Sequence, residues 1–289
     1  MPQSFEDYRA DAHSWITLAT GDYYPDVIPL AQNLYSPVLR LFGDYLQRSM
    51  SSKDLFQKIS NTDETWMRIQ LCRVFRKYVS PATPVEMLKQ KRKSASIIDQ
   101  FGYQFRAIDQ VQKAFSMRSI DDEVICAILW EYKDRGQSGY DLTERAFEAM
   151  REILPNYVIS GPERAGRDIL MGQIVAGYPK PDRPVDFVVK TDSGEIVAIG
   201  LARYDGDRGG AQEDDRTGQY REVSDEVIGY FDNAGHSKVK VIFINDGPGL
   251  LLGSMWSDYA HIEQRHMERV RVMTLRMLPE RLSADWLNS

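Results

Sequence analysis

The strongest constraint on the fold is a pair of apolar runs on either side of four turn-forming residues. Residues 183–190 read RPVDFVVK, 191–194 read TDSG, and 195–204 read EIVAIGLARY. Runs rich in Val, Ile and Phe favour extended backbone, and Asp-Ser-Gly supplies a reversal, so the segment predicts an antiparallel hairpin. One carboxylate, Asp186, falls near the hairpin mouth. The second strand runs straight into DGDRGGAQEDDR (205–216), which is glycine-rich and densely charged.

A two-stranded hairpin is not stable by itself and needs further strands or a helix against one face. The flanking sequence offers both. Before the hairpin, GPERAGRDILMGQIVAGYP reads as a short helix ending near Gly177–Pro179. After it, residues 219–235 are helical and SKVKVIFINDGPG is a buried strand with a Gly/Pro stop. SMWSDYAHIEQRH is a helix and MERVRVMTLRML a last strand. Helix, strand, strand, helix, strand, helix, strand predicts an α/β fold: a mixed central β-sheet with flanking helices. Upstream, the spacing is helical. The helix expected before Ser49 is interrupted by Pro37, and that in 62–79 is capped by Thr62 or Asp63, with a stripe of Trp66, Ile69, Cys72 and Val79. Helices are also expected from Val85 to Gly102, over 103–118, over 121–136 and over 142–154. The expected division is a helical region at 1–158 and an α/β core at 159–289.

Composition narrows the function classes. No run of 18 apolar residues exists, so no membrane span or membrane partner is expected. The acidic, polar start lacks a secretion signal, and Cys72 and Cys126 sit among apolar neighbours as buried thiols, which together predict a cytoplasmic protein. The four histidines show no zinc-ligand pairing with cysteine. The net charge of −6 excludes an unselective coat of lysine around nucleic acid, so any DNA-contacting face must be locally positive.

Candidate chemistry gathers at the hairpin. Two carboxylates from neighbouring strands can bracket Mg²⁺. A turn centred on Asp192–Ser193 sets Asp186 opposite Ile199, with Ala198 and Gly200 as neighbours, neither of which can be a ligand. Glu195, Asp205, Asp207, Glu213, Asp214 and Asp215 are the substitutes, with Glu163 and Asp168 upstream. The alternatives are an Asp186 that only ends a strand and an acidic run that is solvated or closed by Asp–Arg pairs. Arg203 closes the strand, where it can counter charge on a phosphate. Arg208, beside Gly209 and Gly210, suits guanine, Gln212 suits adenine, and Arg216 adds a third cationic contact. Lys89, Lys91, Arg92 and Lys93, with Arg73, Arg76 and Lys77, make a patch for the DNA backbone or a solvated face. Asn245 and Asp246 end a buried strand, the edge at which such sheets carry active sites, or serve turn chemistry there.

Over residues 160–275, the PVD at the hairpin mouth, the GLARYDGDRGGAQEDDR run and the VIFINDGPG strand resemble the PD-(D/E)xK nucleases, in particular the Type II restriction endonucleases. The resemblance implies a restriction-endonuclease-like core and Mg²⁺-dependent hydrolysis of double-stranded DNA at short sites. It also implies 5′-phosphate ends and a homodimer. Asp186 matches the family's first acid. The second acid and the lysine fall near 198–202, where this chain has Ala198, Ile199, Gly200, Leu201 and Ala202. The expected catalytic set is therefore Asp186, Glu195, Arg203 and Glu213, and the expected metal ligands are Asp186, Glu195, Asp205 and Glu213. A catalytically inactive DNA-binding or partner subunit on the same fold is the alternative. An acidic scaffold with no nucleic-acid role is a third reading.

Overall fold

In the computed structural model, the described residues are 3–19, 23–85, 91, 94–118, 122–134, 137–162, 168–206, 211–236 and 238–289. They form two compact units, one from 1–20 with 136–289 and the other from 21–135. The expected division fell at 158/159. The units differ from it because the helix over 137–153 packs on the sheet, and because the first residues do so too. The units also differ in charge: 21–135 carries 17 Lys and Arg against 14 Asp and Glu, and the remainder 19 against 28.

The chain opens with a 3-10 segment, Phe5–Asp11, and α1 (Ala12–Trp15). The 21–135 unit then holds α2 (Ile28–Gln47), α3 (Ser52–Ser60), α4 (Thr65–Tyr78), α5 (Ser94–Phe101), α6 (Ile108–Ser116) and α7 (Glu123–Asp134). Helix α2 runs unbroken through Pro37, where an interruption was expected. An internal proline costs about 3 kcal/mol or more. Against that, Tyr35, Val38, Leu39, Phe42 and Leu46 are all buried on one face, and each contributes roughly 1.5–3 kcal/mol. In α4 the N-cap is Glu64, not Thr62 or Asp63, and the buried stripe is Leu71, Cys72, Val74 and Phe75, with Trp66 exposed. Asp63 instead pairs with Lys91 at 2.6 Å. Burial pushes the thiols of Cys72 and Cys126 up to about 12 and about 11, so both are protonated at neutral pH.

The other unit is built on a five-stranded sheet. Its elements are α8 (Gln137–Ile153), β1 (Tyr157–Ser160), β2 (Ile169–Leu170), α9 (Met171–Ile174), β3 (Pro184–Val185), β4 (Phe187–Thr191), β5 (Ile196–Tyr204), α10 (Ala211–Asn233), β6 (Lys240–Asp246), α11 (Met255–Arg265), β7 (Val270–Met273), α12 (Leu278–Arg281) and α13 (Ala284–Asn288). The sheet order is β1-β4-β5-β6-β7. β1 and β5 flank β4 antiparallel, and β6 pairs parallel with β5 and β7. This is the expected mixed α/β sheet with flanking helices. β2 and β3 form a separate two-stranded ribbon: β2 lies where a short helix was expected, and β3 is the start of the expected strand 183–190, split off from β4 at Asp186. All seven residues of β6 are buried, as a central parallel strand requires.

The two faces of the sheet are covered differently. On one, the Phe147 ring of α8 meets the Phe187 ring of β4 edge-on at 5.7 Å. On the other, Tyr220 of α10 stacks on Phe243 of β6 at 4.4 Å, and Tyr259 of α11 lies 5.7 Å from Tyr220. The chain start straps onto α11: Phe5 stacks on Trp256 at 4.4 Å, and its N–H donates to Glu263 Oε1 at 2.8 Å.

Hairpin register decides which residues share a face with Asp186. The turn is three residues, Asp192–Gly194, closed by Thr191 N–H to Glu195 O at 2.9 Å and by Gly194 at φ +87°. The ladder then shifts between Val189 and Lys190, so that Phe187 faces Gly200. One further step sets Asp186 level with Leu201 rather than Ile199. The three-residue turn and the bulge each shift the partner by one position, which is why the expected register slips by two. Ala198, Gly200 and Ala202 belong to the α8 face. Gly200 is small because a Cβ there would lie 1.9 Å from Phe187 Cζ.

Candidate functional site at the ends of β5 and β6

Asp186 is half-buried, and its position at the hairpin mouth is fixed from both sides. Its N–H donates to Gly200 O at 3.0 Å, and its Oδ2 accepts the Ala202 N–H at 2.8 Å. The carboxylate thus continues the ladder where the β4 backbone leaves it. Oδ1 has no hydrogen-bond partner among the described residues. Burial pushes the Asp186 pKa upward; the Ala202 bond opposes this, the negative charge of Asp168 adds to it, and Arg203 offsets it.

Arg203 shares this face through strand alternation and pairs in register with Asn245 of β6. Asn245 is fully buried, and neither its Nδ2 nor its Oδ1 has a partner among the described residues. A buried amide left unpaired costs about 1–3 kcal/mol. Tyr220 closes the group from α10. Its burial, with Tyr259, Asp186 and Asp205 nearby, raises its pKa well above the usual phenol value. The result is a polar corner of Asp186, Arg203, Asn245 and Tyr220 on an otherwise apolar face. Tyr220 was not expected from the sequence. Its signal was its place on the helix that begins at Ala211 and carries Gln212 and Glu213.

Asp205 and Asp246 lie just behind this corner and hold the backbone. Asp205 is buried, its Oδ2 accepting from Tyr259 Oη at 3.3 Å, and its backbone bonds Asp246 O and Gly249 N–H. Asp246 accepts three backbone N–H groups, from Thr17 at 2.6 Å, Gly247 at 2.7 Å and Leu275 at 3.0 Å. Burial raises its pKa and those bonds oppose the rise. Gly247 adopts φ +109°, and a Cβ there would meet the Asp205 carbonyl at 2.2 Å.

The remaining sequence candidates divide by location. Glu195 is exposed at the turn, its N–H on Thr191 Oγ1 at 3.1 Å. It lies six residues along β5 from Leu201, about 20 Å at 3.3 Å per residue, so the structure does not bring it to Asp186. Gln212, Glu213 and Arg216 belong to the first turns of α10, and their side chains lie outside the described residues. Arg208 lies outside them as well, as do Lys89, Arg92 and Lys93. Lys91 is engaged with Asp63 and Asn61 O.

Whether the corner suits Mg²⁺ depends on its oxygens. A hard divalent cation takes six or more oxygen ligands, some from water. Asp186 offers one open oxygen, raised in pKa by burial and by a second carboxylate, so a cation would relieve both effects. Among the described residues, however, no group of three or more His, Cys, Asp or Glu side chains is placed to hold a metal ion. Asp186 and Asp168 fit Mg²⁺ in kind, and Leu201 stands where a strand neighbour would supply another carboxylate.

No family model matches the chain, and no curated protein or solved structure matches it either. No helix among the described residues is long and apolar enough to cross a membrane.

Proposed function

We propose that the protein is a Mg²⁺-dependent endonuclease of double-stranded DNA, cutting at a specific site and leaving 5′-phosphate ends, on a restriction-endonuclease-like core. The observation that carries this reading is Asp186: a half-buried carboxylate at a hairpin mouth, one oxygen anchored on Ala202 N–H and the other open, on one face with Arg203. Asp186, with Asp168 and Glu213, would hold the Mg²⁺, whose chemistry is to neutralise phosphate charge and ease ionisation of water. Arg203 would bind the scissile phosphate through its planar fork of donors. Asn245 would donate or accept at the same group, which would give its buried amide a partner. The corner excludes bulk water on the sheet side through Leu201 and Phe243, which strengthens these contacts. The net-basic 21–135 unit supplies charge suited to the duplex backbone, and a homodimer would present the two sites that cutting both strands requires.

A plasmid assay tests the proposal. The wild-type chain should convert supercoiled DNA to linear product with Mg²⁺ and leave it intact in EDTA, and Asp186→Asn should lower cleavage at least a thousandfold while still binding DNA. Unchanged cleavage by Asp186→Asn would sink the assignment. A second reading, an inactive DNA-binding or partner subunit, is favoured by Leu201 at the level of Asp186. It predicts equal duplex binding in Mg²⁺ and EDTA and no cutting under either.

A further inference from the structure

Within the 21–135 unit, α2 and α6 run antiparallel. Gln112 Nε2 donates to Leu46 O at 3.2 Å and the Phe115 ring lies 5.2 Å from that of Phe42, so numbers rise on one helix as they fall on the other. Between them lies a groove of about 710 Å³. Gly43 keeps it open: a Cβ there would already stand 3.2 Å from Phe115 Cε1. The lining carries three cations, Arg40, Lys113 and Arg118, and one carboxylate, Asp44. Arg118 is taken by Asp122 at 2.5 Å and lies over the Phe115 ring. Arg40 and Lys113 are exposed, and their side chains make no hydrogen bond or ion pair among the described residues. The same holds for Arg48, Lys53 and Arg106, which lie beyond the Gln47 end of the groove, where Ser52 Oγ donates to Arg106 O. Against these cations stand two exposed carboxylates, Asp44 and Asp109, while Asp54 is held by Lys58 at 2.5 Å.

We propose that the α2–α6 groove and its extension to Arg106 seat the phosphate backbone of one strand of a DNA duplex. This rests on the DNA reading above and gives it a contact surface. Arg40 to Arg48 spans about 12 Å at 1.5 Å per residue, the axial length of three to four phosphates of one strand at about 3.4 Å each. Exposed Arg and Lys, with Gln47 and Ser116 beside them, are the side chains that phosphate contacts use. A protein partner would need an apolar anchor at the centre of the contact. The apolar residues of the lining, Leu39, Leu46 and Phe115, are all buried. Asp44 opposes a phosphate in the groove, so its removal has a sign opposite to that of removing Arg40 or Lys113.

Fluorescence anisotropy of the full chain with a labelled duplex, in EDTA and across a salt series, tests this. Arg40→Ala combined with Lys113→Ala should weaken binding at least tenfold at low salt and lower the slope of log K against log salt by about 2. Asp44→Asn should strengthen binding severalfold, a gain that misfolding cannot produce. All three positions are exposed, so melting temperatures should stay at the wild-type value. Duplex binding by wild type with an unchanged slope in the double variant would overturn the groove and leave the nuclease reading standing. No duplex binding by wild type even at low salt would overturn both. Polyglutamate displacing the duplex at equal charge concentration would assign the groove to an acidic protein and overturn the DNA assignment.

Discussion

Asp186 sits where its environment favours the protonated form, and this has a measurable signature. Its folded-state pKa lies above that of the unfolded chain. The folded state therefore binds the proton more tightly, an advantage present at low pH and lost as pH rises through the folded value. Asp186→Asn keeps an oxygen for the Ala202 N–H and removes the charge. It should match or exceed wild-type stability at pH 7, with the gap narrowing as pH falls toward 4, as read from urea midpoints. A variant markedly less stable at pH 7 would show that the ionised carboxylate supports the fold. Asn245 makes the complementary case. Asn245→Leu should raise stability by about 1–2 kcal/mol, since an unpaired buried amide is replaced by an apolar side chain of similar size, while lowering DNA cleavage. A loss of stability would mean the amide has a partner in the folded chain. Gly200 is constrained by volume alone. Gly200→Ala should cost about 3 kcal/mol, the upper part of the overpacking range, and Phe187→Leu should recover part of it in a double-mutant cycle.

The β4–β5 hairpin divides its two faces cleanly, and this explains what could be read from the sequence. Alternating apolar residues and a Ser-Gly turn announced both strands, and the long apolar run of 239–246 announced β6. The register was not legible. It depends on a three-residue turn and on a shift at Val189/Lys190 that leave no compositional trace. The expected reading also set Ala198 and Gly200 beside Asp186, although strand alternation puts them on the other face from the residue opposite it, so their small size read as missing chemistry. Gly200 is small because the Phe187 ring, packed on Phe147, fills that side. β1 escaped notice because four residues after a helix carry little pattern, although Pro155-Asn156 marks its start. Asp186 and Arg203 were legible as candidates because each ends or closes a strand. Glu195 was misplaced for the same reason that made it attractive: proximity in sequence along a hairpin is distance in space. The isolation of Asn245 depends on what α10 and α11 place above it, which no local window contains.

Charge is partitioned across the chain, with the basic excess confined to 21–135 and the acidic excess in the rest. Duplex binding, if it occurs, should be strongly salt-dependent, with log K falling by about 0.9 per neutralised phosphate for each unit of log salt. Replacing Lys89, Arg92 and Lys93 together by alanine should reduce that slope by up to about 3 and leave cleavage-site preference unchanged, as measured by filter binding across a salt series. An unchanged slope would place the backbone contacts elsewhere. The chain order of the two units has a further consequence. Residues 21–135 are inserted between the strap at 1–20 and the sheet that receives it, so Phe5 waits for Glu263, 258 residues later. During synthesis the inserted unit emerges whole and can fold while the strap has no partner. The sheet unit can close only once α11 and β7 have emerged as well. A nascent chain therefore passes through a long interval with one unit formed and the Asp186 corner absent.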